Sequence, residues 1–268
     1  LLVINSLNYK KNEKFKTQLK IIGNYEKNNR LNLNEVSIIG KNNKIILNNL
    51  SLNKENKVIK VDKFDLDYFD IENKKNKLIL KRNQKNSYEL NGSIFNANFI
   101  ISDLLESTSD KPFNILKNDI ELIININEVF IDDKNIVKNF KGSLNFVNNE
   151  ITKANIQALF KNNKDLNFTI NTNNNEKVTT FYSSKAKPFV KRYKFIKGFE
   201  EGDLNFNSSK KNGISNSLLV IDNFKVQEIP ILAKLLTLAS LQGIADLLTG
   251  EGIRFTDFEM KFSNDKKL

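Results

Sequence analysis

The sequence predicts a mainly β protein, an antiparallel sheet with one apolar and one polar face, interrupted by two or three helices. Three observations carry this prediction. Apolar and polar residues alternate along run after run, Asn- and Lys-rich clusters separate the runs, and one long apolar stretch at about 229–249 keeps helical rather than strand spacing.

The alternation is clearest in DIELIININE, where Ile120, Leu122, Ile124 and Ile126 share one face although Ile123 breaks the other. Leu144 and Phe146 repeat it in KGSLNF, Leu166, Phe168 and Ile170 in KDLNFTINT, Leu204 and Phe206 in EGDLNFN, and Ile214, Leu218 and Val220 in GISNSLLVI. Noisier runs occupy 31–39, 44–52, 58–68 and 77–81. Between them lie turn clusters such as Lys41-Asn42-Asn43, Lys161-Asn162-Asn163-Lys164 and Asn173-Asn174-Asn175. Strands joined by short polar turns predict an antiparallel meander. Its dry face needs a cover: a second sheet, closure into a barrel, or a lipid or helix lying over an open groove. Periodicity leaves these three open.

The first expected helix is short, Ser102 to Ser107, capped by Ser102 or Asp103. The second, Pro188 to Ile196, carries Phe189, Tyr193 and Ile196 on one side and stops at Gly198. The third starts at Pro230, whose missing amide costs nothing in a first turn, and repeats apolar residues through Leu235, Leu236, Ala239, Leu247 and Leu248. Gly243 is placed to bend it, and Gly250 and Gly252 end it before a strand at Ile253 and Phe255. In that last strand the apolar parity changes from Ile253 and Phe255 to Phe258, Met260 and Phe262, so a bulge near Thr256-Asp257 is expected.

Composition excludes several function classes. With no Cys and no His, disulfides, thiol chemistry, His general bases and Cys/His zinc sites are out of reach. No nucleophile–base pair stands out, so no catalytic, cofactor-binding or metal residues are expected. The formal charge of +11 raises a nucleic-acid reading, but only four of the 42 basic residues are Arg, the residue that bidentate phosphate and base recognition favours. Abundant Lys, Asn, Ile and Phe fit a chain encoded by A/T-rich codons, whose basic surface is a solvated one.

Four segments invite a functional reading. The Pro230 stretch is interrupted by Lys234 and Asp246, too short around them to span a membrane, and its polar face is not basic, so it reads as a cover for the sheet. Lys187, Lys191, Arg192 and Lys194 could meet anionic headgroups, each contributing on the order of 1 kcal/mol near such a surface, or form a solvated helix face. Asp62, Asp65, Asp67 and Asp70 alternate with Phe64, Leu66 and Tyr68 and lack the Gly and terminal Glu of a calcium loop; they read as the wet face of a strand. Gly250-Glu251-Gly252 is a helix stop rather than a phosphate cradle.

Asp222, Phe224 and Val226, then Pro230, then Leu235, Leu236, Ala239, Ser240, Leu241 and Gly243, then Gly250, Gly252, Ile253 and Phe255 follow one another as strand, helix and strand. This succession resembles the AsmA-like envelope proteins, in the branch that includes YhdP. The segment from Tyr88 to Glu106 and the stretch from Lys187 to Phe206 resemble further family elements, so the likeness covers roughly the last two thirds of the chain. The resemblance implies an elongated, curled, open β-groove or half-barrel spanning 1–268 as a fragment of a longer protein, with strand repeats over 1–87 and the family region over 88–268.

It also implies a non-enzymatic role in moving phospholipid between the inner and outer membranes of a Gram-negative envelope, in the periplasm, with an inner-membrane anchor outside this segment. The apolar-face residues Leu122, Ile124, Ile126, Leu144, Phe146, Leu166, Phe168, Ile170, Leu204, Phe206, Leu218 and Val220 would meet acyl chains, and Leu235, Leu236, Ala239 and Leu247 would cover the groove. No cofactor and no specific nucleic acid are implied. A structural or regulatory envelope scaffold, with the groove filled by its own side chains, is the alternative; a basic nucleic-acid-binding protein comes third.

Overall fold

A computed structural model describes residues 2–26, 30–106, 119–161, 163–192, 198–227 and 252–265. The chain divides into two units, Leu1–Lys161 and Asn162–Leu268.

The first unit contains β1 (Val3–Ile4), a 3-10 turn (Asn5–Leu7), β2 (Tyr9–Lys10), β3 (Thr17–Glu26), β4 (Arg30–Gly40), β5 (Lys44–Leu52), β6 (Val58–Lys60), β7 (Lys63–Phe69), β8 (Lys75–Gln84), β9 (Ser87–Asn96), α1 (Asn98–Glu106), β10 (Ile120–Phe130), β11 (Ile136–Val147) and β12 (Glu150–Leu159). Its sheet runs β12-β11-β10-β9-β8-β7-β5-β4-β3, with β6 on β5, while β1 and β2 pair only with each other. The second unit contains β13 (Asp165–Asn173), β14 (Glu176–Ser183), α2 (Lys187–Val190), β15 (Phe199–Lys211), β16 (Ile214–Val226) and β17 (Ile253–Asp265), in the order β13-β14-β15-β16-β17. The expected fold class is the observed one. The molecule is mainly β, and in each unit the strands form an open, curled, mainly antiparallel sheet; two short α-helices lie among the described residues.

Asparagine makes the hairpins. Asn148-Asn149, Asn174-Asn175 and Asn212-Gly213 all have both central residues at positive φ, between 48° and 83°. Val147 pairs with Glu150, Asn173 with Glu176 and Lys211 with Ile214, so each loop has two residues. Positive φ at both central positions is the type I′ turn that follows the strand twist, and Asn and Gly tolerate it best.

One pair departs from the meander. β9 and β10 are parallel, from Glu121 beside Ser87 to Phe130 beside Asn96. A parallel pair needs a crossover, and α1 starts it. That helix begins at Asn98 rather than Ser102, because Asn96 Oδ1 accepts the Asn98 N–H at 3.1 Å and Ile101 N–H already reaches the Ala97 carbonyl. The second helix is also shifted, to Lys187–Val190, and ends in a turn at Lys191 and Arg192; residues 193–197 lie outside the described residues. The Pro230 helix, with Leu235, Leu236, Ala239 and Leu247, lies outside them too.

The last strand corrects an expectation. β17 keeps unbroken register with β16 past Thr256-Asp257, from Val226 opposite Ile253 to Ile214 opposite Asp265. The irregularity sits on its neighbours, where Asn223 of β16 and Glu201 and Gly202 of β15 take positive φ. Burial steps by one residue there, from Ile221 to Phe224 on β16 and from Phe199 to Leu204 on β15. Phe199, Phe224 and Phe255 stack across the three strands with centroids 5.1 and 5.2 Å apart.

Candidate functional site

Cross-strand partners lie on the same face, so the registers trace which side chains line up. In the first unit one row crosses nine strands, from Ile21 through Val36, Leu47, Phe64, Leu80, Leu90, Ile124 and Gly142 to Ile156. Leu122 pairs with Leu144, Ile120 with Phe146 and Ile126 with Phe140, which puts Leu122, Ile124, Ile126, Leu144 and Phe146 on that face together. Ile124, Ile126 and Phe146 are buried, and Leu122 and Leu144 are half-buried. Gly142 is the one gap in the row. A Cβ there would stand 1.9 Å from the Asn155 carbonyl oxygen, so glycine is required for β11 and β12 to approach.

In the second unit the corresponding row is Phe168, Phe181, Phe206, Leu219 and Met260, crossing all five strands. Leu166, Ile170 and Leu204 share its face, with Ile221 and Phe258. Leu218 and Val220 do not. They pair with Asn207 and Asn205 on one side and with Lys261 and Glu259 on the other, which places them on the polar face. The Asn212-Gly213 turn decides this, because with Lys211 opposite Ile214 the even positions of β15 meet odd positions of β16. Leu219 and Ile221, missed in the sequence pattern, take their place. The helix α2 covers part of this face: Phe189 meets Phe181 edge-on at 4.7 Å, and Pro188, Phe189 and Val190 are buried.

The opposite faces are polar but differently held. In the first unit, Lys20 pairs with Glu35, Lys44 and Lys63 with Asp65, and Lys75 and Lys77 with Asp67. The Lys20 and Ser37 donors hold the Glu35 carboxyl below its ordinary pKa. Asp65 and Asp67 are thus wet-face residues, as expected, and Asp62 takes Lys60 and Arg82. Asp70 is not: it is buried, with Oδ1 accepting the N–H groups of Glu72 and Lys74 and Oδ2 accepting Asn76 and Asn96 amides. Asp132 organises the β10–β11 turn in the same way, accepting from Lys134 N–H, Asn135 N–H and Asn135 Nδ2. In the second unit the hydroxyls of Thr169 and Thr180 bond at 2.6 Å across the polar face.

At the Asp70 end of the first sheet the apolar face is capped. Tyr9 of β2 packs at right angles on Tyr68, centroids 5.7 Å apart, and the Tyr68 hydroxyl donates to the Leu7 carbonyl at 2.7 Å. Both rings are fully buried, and that burial raises the pKa of each phenol.

Of the basic residues expected near headgroups, Lys187 is committed to a Glu200 carboxylate, Lys191 and Arg192 follow the buried turn of α2, and Lys194 lies outside the described residues. Among the described residues no helix is long and apolar enough to cross a membrane. No family model, curated protein or solved structure matches the chain.

Proposed function

We propose that this chain is a non-enzymatic phospholipid carrier whose apolar sheet face keeps acyl chains out of water while headgroups ride in solvent. One observation carries the reading: in each unit a register-matched row that is apolar but for Gly142 crosses the sheet, over nine strands in the first and five in the second, and most of its members are half-buried rather than packed away. An apolar surface of that extent, backed by a polar face on the same strands, is the kind that marks a binding surface. Taking an acyl chain through water costs about 0.8 kcal/mol per CH₂, on the order of 12 kcal/mol for about fifteen carbons, and an apolar row lowers that barrier. No polar constellation is needed, since a deep local well would stall movement. The resemblance to AsmA-like proteins supports the same reading and would put the work between the two membranes of a Gram-negative envelope.

The scaffold alternative is favoured by one feature, the Tyr9–Tyr68 contact, in which the chain's own side chains fill part of the face. Transfer of a fluorescent phospholipid from donor to acceptor vesicles separates the two. The carrier accelerates transfer in proportion to protein concentration; a scaffold leaves the spontaneous rate unchanged. Retention of the chain on DNA at physiological salt would instead favour the nucleic-acid alternative.

A further inference from the structure

Lys10 of β2 and Lys41 of the β4–β5 turn have no carboxylate partner within salt-bridge distance among the described residues. These two line the same cavity. It has a volume of about 360 Å³ and lies among the β2–β3 loop, the β4–β5 turn and the β7–β8 turn, beside the Tyr9 cap.

The rest of the lining is suited to an oxyanion. The side-chain amides of Asn42 and Asn73 have no hydrogen-bond partner among the described residues, and Asn12 uses only its oxygen, accepting the Lys14 N–H at 2.9 Å. Asn43 is spent on structure, its oxygen accepting the Phe69 N–H and its amide reaching the Tyr9 hydroxyl. Asp70 is the one acidic residue in the lining, and both of its carboxylate oxygens are already occupied by four donors. The lining therefore carries two ammonium groups without a carboxylate partner against one saturated carboxylate. Phe15 and Phe69, 40% and 37% exposed, add apolar surface to the lining, with Lys41 Nζ 5.2 Å from the Phe15 centroid and Lys75 Nζ 4.8 Å from the Phe69 centroid.

We propose that this cavity binds a phosphate group carried on a small organic moiety, with Lys10 and Lys41 as point-charge partners, Asn42 and Asn73 as amide donors, and Phe15 and Phe69 contacting the organic part. Lysine is a common phosphate partner, and hydrogen bonds to a charged acceptor are the strong ones. The site stands whether or not the apolar face carries lipid. A phospholipid headgroup and a free phosphate ester share this chemistry, and the two sources are separated by the probes.

The experiment is calorimetric titration of the purified chain with inorganic phosphate, glycerol 3-phosphate and dihexanoyl phosphatidylglycerol below its micelle concentration. Saturable binding of an organic phosphate, weaker for the bare ion, is the expected result. A preference for the lipid probe assigns the site to headgroups, and a preference for glycerol 3-phosphate assigns it to soluble esters. K10Q/K41Q should weaken binding about tenfold or more, since two charge-assisted contacts are lost. K161Q/K164Q removes the same charge from exposed positions elsewhere and should leave binding within about twofold, because only general attraction changes. Absence of saturable binding to all three probes, or equal weakening by the two double variants, overturns the proposal.

Discussion

The two rows that cross the sheets solve one problem with different side chains. In the first unit the row is aliphatic apart from Phe64, has a gap at Gly142, and is backed by cross-strand ion pairs. In the second it runs Phe168, Phe181, Phe206, Leu219 and Met260 without a gap, and its polar face uses the Thr169–Thr180 hydroxyl contact. What the rows share is register, apolarity and partial exposure. The carrier role proposed above asks those properties of a face and no particular residue, whereas a specific pocket would demand a fixed set.

The comparison can be broken most sharply at its one asymmetry. Gly142→Ala should destabilise the first unit by about 3 kcal/mol, because its Cβ collides with backbone atoms of Asn155 and Ile156 that cannot swing aside as a side-chain tip would. Urea unfolding checks this, and a midpoint equal to that of the parent chain would show that β11 and β12 can part at no cost. A smaller effect is expected from Phe206→Leu in the aromatic row. Half-buried and conservative in character, it should cost about 1 kcal/mol and leave the sheet apolar. A loss of several kcal/mol there would mean that the second row is a packed core needing rings rather than a general apolar surface. Smallest of all is Lys44→Ala. Its pairing with Asp65 is at the surface, with the lysine half-exposed, so no more than about 1 kcal/mol should be lost, and less at high salt.

How much of this was legible in the sequence depends on the element. Alternation in β10, β11 and β13 correctly grouped Leu122, Ile124, Ile126, Leu144 and Phe146, and separately Leu166, Phe168 and Ile170, because those strands carry only one complete apolar set. In β16, GISNSLLVI carries two interleaved sets, and periodicity cannot choose between Leu218/Val220 and Leu219/Ile221. The choice was still written nearby: counting outward from the Asn212-Gly213 turn puts Leu219 opposite Phe206. Asp70 was misplaced despite a similar signal, since it falls on the opposite parity from Asp65 and Asp67 and sits at a turn. The parallel pairing of β9 and β10 was hidden in a different way. Local patterns describe one strand at a time, and only the length of chain between Asn96 and Ile120 hinted at a crossover. The cavity at Lys10 and Lys41 was not legible at all, because it is assembled from a loop and two turns far apart in sequence.

The central claim is that the apolar rows hold acyl chains, and the phospholipid content of the purified chain tests it most directly. Ile124→Asp and Phe168→Asp each place a carboxylate in the middle of a row, a cost of several kcal/mol wherever tails exclude water, while Asn167→Asp puts the same charge on the polar face opposite Tyr182. Each variant is first shown by circular dichroism to keep its β structure, then extracted and its lipids quantified by mass spectrometry. Phospholipid should accompany the parent and Asn167→Asp chains and be depleted in the two row variants. Equal lipid content in folded Ile124→Asp, Phe168→Asp and Asn167→Asp proteins, or no lipid in any of them, would contradict the carrier account.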